Sequence, residues 1–143
     1  MRPRLAYFPI YGRGEVVRLL LTYLKIDFDE DPQPLPLGGP VEKAKWEQQR
    51  HNFEFKYVPV LHIDGHSLSS SMSILRYLAR KHKMHPTDPY DLWRVDSMCD
   101  HYLDLEIALQ NNSSDTALDE YLNGKNFKNS LNSIQERIKA NIS

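Results

Sequence analysis

The sequence predicts a mixed α/β domain followed by an all-helical segment. Three observations carry this. Apolar runs within residues 1–83 follow the order strand, helix, strand, helix, strand, strand, helix. Asp64-Gly65 separates two short strand-like runs, a strong hairpin signal. After residue 91 the apolar residues recur at helical spacing only. A βαβ unit followed by a hairpin and a helix is expected to set helices on both faces of one small sheet.

The first element is the apolar run from Leu5 into Tyr7-Phe8-Pro9-Ile10-Tyr11. Gly12-Arg13-Gly14 makes a turn, and Val16 to Leu24 is an amphipathic helix. A phenol and a guanidinium therefore stand at a strand's end, beside a helix N-terminus. The free N–H groups and positive dipole end of a helix favour an anion there. Such an arrangement points to a site that stabilises a thiolate or another small anion. Asp27 to Glu30 reads as a short edge strand. A loop rich in Pro and Gly follows, from Pro32 to Pro40. Val41 to Arg50 is a polar helix containing Trp46. Val58 to Ile63 is strand-like, with Pro59 a candidate cis proline at its entrance. His66 to Ser69 is the returning strand, and Ser70 or Ser71 caps a helix running to about Lys83. On that helix Ile74, Leu75 and Leu78 form the apolar face, and Arg76, Arg80, Lys81 and Lys83 a solvated one.

Pro86 and Pro89 mark a linker over residues 84–91, which separates a domain at 1–83 from a partial helical domain at 92–143. Leu92, Val95, Cys99, Tyr102 and Leu103 give the next helix an apolar face, on which Cys99 is expected to be a buried core thiol. That helix continues to about Leu109, and Asn111 to Asp115 breaks it. Leu118, Tyr121, Leu122, Leu131, Ile134, Ile138 and Ile142 mark a last helical region, weakened at Gly124.

Bulk properties exclude several classes. The chain has 143 residues, 41% hydrophobic and 26% charged, with a net charge of −1. That balance gives no general attraction to nucleic acid or to an anionic membrane surface. No apolar run approaches the roughly 20 residues that span a bilayer, and Arg2, Arg4, Arg13 and Glu15 interrupt any leader-like core. A single cysteine, Cys99, allows no internal disulfide, so a reducing, cytoplasmic setting is expected. The six histidines match no metal-ligand spacing, and no metal is expected.

A family resemblance gathers these signals. Tyr7-Phe8-Pro9 with Gly12-Arg13-Gly14-Glu15, Trp46, Val58-Pro59-Val60-Leu61 and Ile63-Asp64-Gly65 occur in order with Ser71, Ile74-Leu75-Arg76-Tyr77-Leu78-Ala79, Val95-Asp96 and Asp104. In this the chain resembles cytosolic glutathione transferases of the tyrosine type, nearest the sigma, pi, mu and alpha classes. The resemblance covers residues 4 to about 110 well and the rest loosely. It implies a thioredoxin-like domain followed by a shortened all-α domain. It also implies an enzyme without a cofactor that uses glutathione as co-substrate against a small hydrophobic electrophile.

The resemblance assigns roles to residues. Tyr7 is the catalytic hydrogen-bond donor to the glutathione sulfur, and Arg13 adds positive potential. Ser71 binds the γ-glutamyl carboxylate, with Ser70 beside it. Phe8 lines the tripeptide site, and the backbone of Val58, before Pro59, pairs with the cysteinyl amide. Trp46 and Arg50 hold the glycine carboxylate, with Lys56 able to serve in place of Arg50. Asp104 reaches the γ-glutamyl ammonium of a neighbouring subunit in a homodimer, whose interface takes Phe55 as a key. If Phe55 is not that key, it is a local core residue. Two positions depart from the family pattern: Ser70 stands where Gln is usual, and Tyr57 where Gln or Asn is usual. Both changes remove an amide that helps hold the tripeptide. Two readings therefore stand beside catalysis, a weak or inactive structural (crystallin-like) protein and a protein-binding module.

Overall fold

The computed structural model of the chain describes residues 1–111 and, beyond them, 119, 120, 122–125, 127–129, 132, 135 and 136. The chain divides into two compact units, Met1–His85 and Pro86–Ser143.

The first unit holds β1 (Arg4–Tyr7), α1 (Glu15–Tyr23), β2 (Asp29–Pro32), α2 (Pro40–Gln49), a 3-10 turn at Arg50–Asn52, β3 (Val60–Ile63), β4 (His66–Ser69) and α3 (Ser71–Lys81). The strand order is β2-β1-β3-β4. β1 and β2 run parallel across the α1 crossover, and the other two pairings are antiparallel. This is the thioredoxin-like mixed sheet that the motif order implies.

Each element has a local cause. Leu5, Ala6 and Tyr7 are consecutive and all buried. Successive strand side chains point to opposite faces, so both faces of β1 are covered. Val17 and Leu21, one helical turn apart, are the buried stripe of α1. α1 then ends in a Schellman motif: Ile26 N–H donates to Leu21 O and Lys25 N–H to Thr22 O, each at 2.9 Å, with Lys25 at φ 55°. α3 ends the same way around Lys83, at φ 56°. It therefore stops at Lys81, two residues short of expectation.

Two strand boundaries differ from the sequence reading. β2 is the edge strand, but it begins at Asp29 and not Asp27, in register with Arg4. β3 begins at Val60 and not Val58. The Val58–Pro59 peptide is cis, and a proline has no N–H for the ladder. Asp64 and Gly65 have φ 53° and 79°, the double positive φ of a type I′ hairpin turn, as expected. Ser70 occupies the position before α3, yet its side chain makes no cap.

The core joins Leu5, Ala6, Tyr7, Val17, Leu21, Trp46, Val58, Val60, Leu61, Ile63, Ile74 and Leu78, and α1 packs on α3. Met72 is buried on α3, while Leu75, expected on the apolar face, is only half-buried. In the basic cluster Arg80, Lys81 and Lys83 are exposed, as expected, and Arg76 is half-buried. Lys81 Nζ and Tyr77 O–H both donate to the Asp64 carboxylate, tying the hairpin turn to the helix.

In the second unit, α4 spans Pro89–Asn111. It starts inside the expected linker because Asp88 accepts from Tyr90 and Asp91 N–H, a side-chain cap with Pro89 in the first turn. It also outlasts Leu109, and Asn111 is helical rather than a breaker. Residues Asn112 to Asp115 lie outside the described residues, as do Leu118, Tyr121, Leu131, Ile134, Ile138 and Ile142. No residue of α4 is fully buried. Cys99 is half-buried, not the core thiol its position on the apolar stripe predicts. Among the described residues no helix is long and apolar enough to cross a membrane.

Candidate functional site

Tyr7, Phe8 and Arg13 lie at or just after the end of β1. Tyr7 is its last residue, and only 6% of it is exposed. Its ring lies against Gly14, the N-cap residue of α1: a Cβ built on Gly14 would sit 2.2 to 2.8 Å from three ring carbons. Glycine is required there for close approach, since its φ of −78° suits any residue. Arg13 is half-buried in the same turn, which Gly12 makes with φ 93°. One turn further along α1, the Arg18 guanidinium carbon stands 5.6 Å from the Tyr7 ring centroid.

Arg18 was not singled out by the sequence, yet it organises this corner. It donates to both Glu30 carboxylate oxygens at 2.7 and 3.2 Å, to Glu15 at 3.1 Å, and to the carbonyls of Ile10 at 2.9 Å and Phe8 at 3.4 Å. These bonds span β2, α1 and the loop after β1. The Glu30 hydrogen bond, first of all, holds the Arg18 pKa above its ordinary value against the opposing effect of burial. The only signal in the sequence was its spacing of three from Glu15, which is common on any helix. A hollow of about 330 Å³ opens beside it, lined by Pro9, Ile10, Tyr11, Glu15 and Arg18.

An aromatic chain runs away from Tyr7. The Phe8 ring is 5.5 Å from Tyr7 and 4.9 Å, edge-on, from Trp46, which is 6.1 Å from Phe53. Trp46 is 6% exposed. It is therefore a core residue, and not the surface-helix residue that the polar pattern of α2 allows. Arg50, in the 3-10 turn after α2, rests on Glu47 at 3.3 Å, and its Nε is buried without a hydrogen-bond partner. Val58 and Pro59 are buried, with Val58 in the same core cluster as Tyr7 and Trp46.

Ser71 opens α3 and is 5% exposed. Ser70 precedes it at φ 72°, and its Oγ lies 2.8 Å from the Tyr57 Oη. The two departures from the family pattern thus bond each other. Phe55 is 55% exposed, which excludes a local core role for it. Its ring stacks on Tyr57 at 5.8 Å. Asp104 lies on α4 in the second unit and is exposed. Among the described residues no group of His, Cys, Asp and Glu could hold a metal ion.

Residues 3–80 match the family described as glutathione S-transferase, N-terminal domain. Over 101 residues the chain is 32% identical to the probable glutathione S-transferase 7 of Caenorhabditis elegans, covering 71% of this chain and 45% of that one. Over 108 residues it is 32% identical to glutathione S-transferase Mu 1 of Bos taurus, covering 73% and 49%. The solved structure of prostaglandin synthase D of Nilaparvata lugens superposes with a TM-score of 0.77 at 26% identity, over 99% of this chain and 70% of that one. The chain spans about half the length of the curated relatives it matches. With a family match that runs from β1 to the last turn of α3, over the sheet and helices described above, the chain belongs to the glutathione S-transferase family.

Proposed function

We propose that the protein is a glutathione transferase that activates the glutathione thiol for attack on a small hydrophobic electrophile, acting in the cytosol as a homodimer. The observation that carries this reading is Tyr7 at the end of β1, its ring against Gly14 and under the Arg18 guanidinium at the start of α1. A free thiol has a pKa of about 8.5, so a few per cent is thiolate at neutral pH. The Tyr7 O–H donates to the bound sulfur and favours its charged form. A hydrogen bond to a charged group contributes roughly 1.5–3 kcal/mol, or about one to two pKa units. Arg13 adds positive potential from the same turn.

The rest of the tripeptide takes the remaining candidates. The Ser71 hydroxyl, with the N–H groups at the start of α3, receives the γ-glutamyl carboxylate. The Val58 backbone pairs with the cysteinyl amide, with Phe8 alongside. Trp46 and Arg50 receive the glycine carboxylate. Asp104 serves the ammonium of the neighbouring subunit's glutathione, and Phe55 is the interface key.

Retention on immobilised glutathione, followed by turnover of a chromogenic electrophile, tests the reading. Tyr7→Phe is expected to keep retention and to lose about ten- to a hundredfold in kcat at neutral pH, the equivalent of 1.5–3 kcal/mol. Retention without turnover in the wild type points instead to a structural protein, and no retention to a protein-binding module.

A further inference from the structure

We propose that Tyr57 is a positioning residue of the glutathione site, acting through Ser70; this rests on the reading of the site given above. The Tyr57 hydroxyl lies 2.8 Å from Ser70 Oγ across 13 positions of sequence. Tyr57 directly precedes Val58 and the cis Val58–Pro59 peptide. Ser70 directly precedes Ser71 and the first turn of α3, whose Ile74 N–H donates to Ser70 O at 2.9 Å. The bond therefore ties together the two backbone segments that, in the proposed site, receive the cysteinyl amide and the γ-glutamyl carboxylate.

Ser70 has reason to need such a tie. It holds φ 72° and ψ 115°, a conformation that L residues with a Cβ rarely adopt, and it makes no side-chain cap to its own helix. Its hydroxyl is engaged by Tyr57 in place of a local backbone partner. Tyr57 is itself braced: its ring stacks on Phe55 with planes 22° apart. Where the family pattern sets two amides that reach the ligand, this chain sets two hydroxyls that reach each other. At these two segments the ligand then depends on the Ser71 hydroxyl and on main-chain groups, and on Tyr57 for the spacing between them.

The test is a double-mutant cycle on the full chain, with Tyr57→Phe, Ser70→Ala and the double variant, and with Tyr7→Phe as control. Tyr57→Phe keeps the ring on Phe55 and removes only the hydroxyl. One net hydrogen bond corresponds to roughly two- to tenfold in affinity. The expected result is a KM for glutathione raised by about that factor in each single variant. The rise in KM exceeds any fall in kcat, and the double variant is no worse than either single one. A purely structural role would lower stability without this split, so urea midpoints are measured alongside. An unchanged KM in Tyr57→Phe, or additive effects in the double variant, overturns the tie. If Tyr7→Phe still loses kcat in that case, the reading of the site survives without it. A wild type that neither binds nor turns over glutathione overturns both.

Discussion

Gly14 and Tyr7 form one unit. A methyl group at position 14 would enter the Tyr7 ring, while the backbone there is ordinary, so the cost of Gly14→Ala is steric alone. The ring or the start of α1 must move. We expect a loss of about 1–3 kcal/mol in urea unfolding, the usual range for overpacking, together with turnover reduced more than glutathione retention. Wild-type stability and turnover in this variant would contradict the packing. The positions of Tyr7, Arg13 and Ser71 are legible because strand ends and helix starts are what periodicity locates. Arg18 is not. Its importance comes from Glu30, twelve positions away, and from two loop carbonyls, and local patterns do not encode such contacts. The Tyr57–Ser70 bond is hidden for the same reason: in the sequence each residue shows only a missing amide, and the contact spans 13 positions.

Among the elements, turn chemistry was the most legible part, and strand limits the least. Asp64-Gly65 dictates its hairpin whatever surrounds it, whereas the register of β2 is set by its pairing with β1. Both α1 and α3 close on a lysine in the left-handed region, where glycine is usual. Lys83→Gly relieves that conformation at some cost in chain entropy, and a net gain of about 0.5–1 kcal/mol in urea unfolding is expected; a loss would show that Lys83 makes a compensating contact. The turn is also fastened to α3 through Asp64. Its carboxyl is held below the ordinary 3.8, first by the Lys81 hydrogen bond and then by Tyr77. A depressed carboxylate pKa adds stability above its unfolded value, and that stability is lost as pH falls through the folded one. Asp64→Asn should therefore be less stable than wild type at neutral pH, with the difference shrinking below pH 3.8. A difference that stays constant into acid would contradict the clasp.

For the molecule as a whole, the motif order was enough to name the α/β domain; the βαβ and hairpin signals give the β1–β2 and β3–β4 pairings, but not the long-range β1–β3 pairing that joins them. The second unit was less legible. α4 has the apolar stripe that periodicity requires, yet Trp93, Val95 and Ile107 are exposed and nothing on it is fully buried. Amphipathicity tells which face seeks cover, and not what covers it. Phe55 raises the same question in the first unit, exposed and stacked on Tyr57. In the proposed homodimer it is the residue that the partner takes up. Phe55→Ser should then shift the protein from dimer to monomer in light scattering after size exclusion, with the far-ultraviolet signal kept. An unchanged mass would remove Phe55 from the interface.

The most direct measurement is the ionisation of the bound thiol. The ultraviolet absorbance of the glutathione thiolate, titrated in complex with the wild-type protein and with Tyr7→Phe, reads it without any electrophile. The wild-type complex should titrate about one to two pH units below the free thiol value of about 8.5, and the Tyr7→Phe complex should return close to it. Equal titration in the two complexes would contradict the role given to Tyr7.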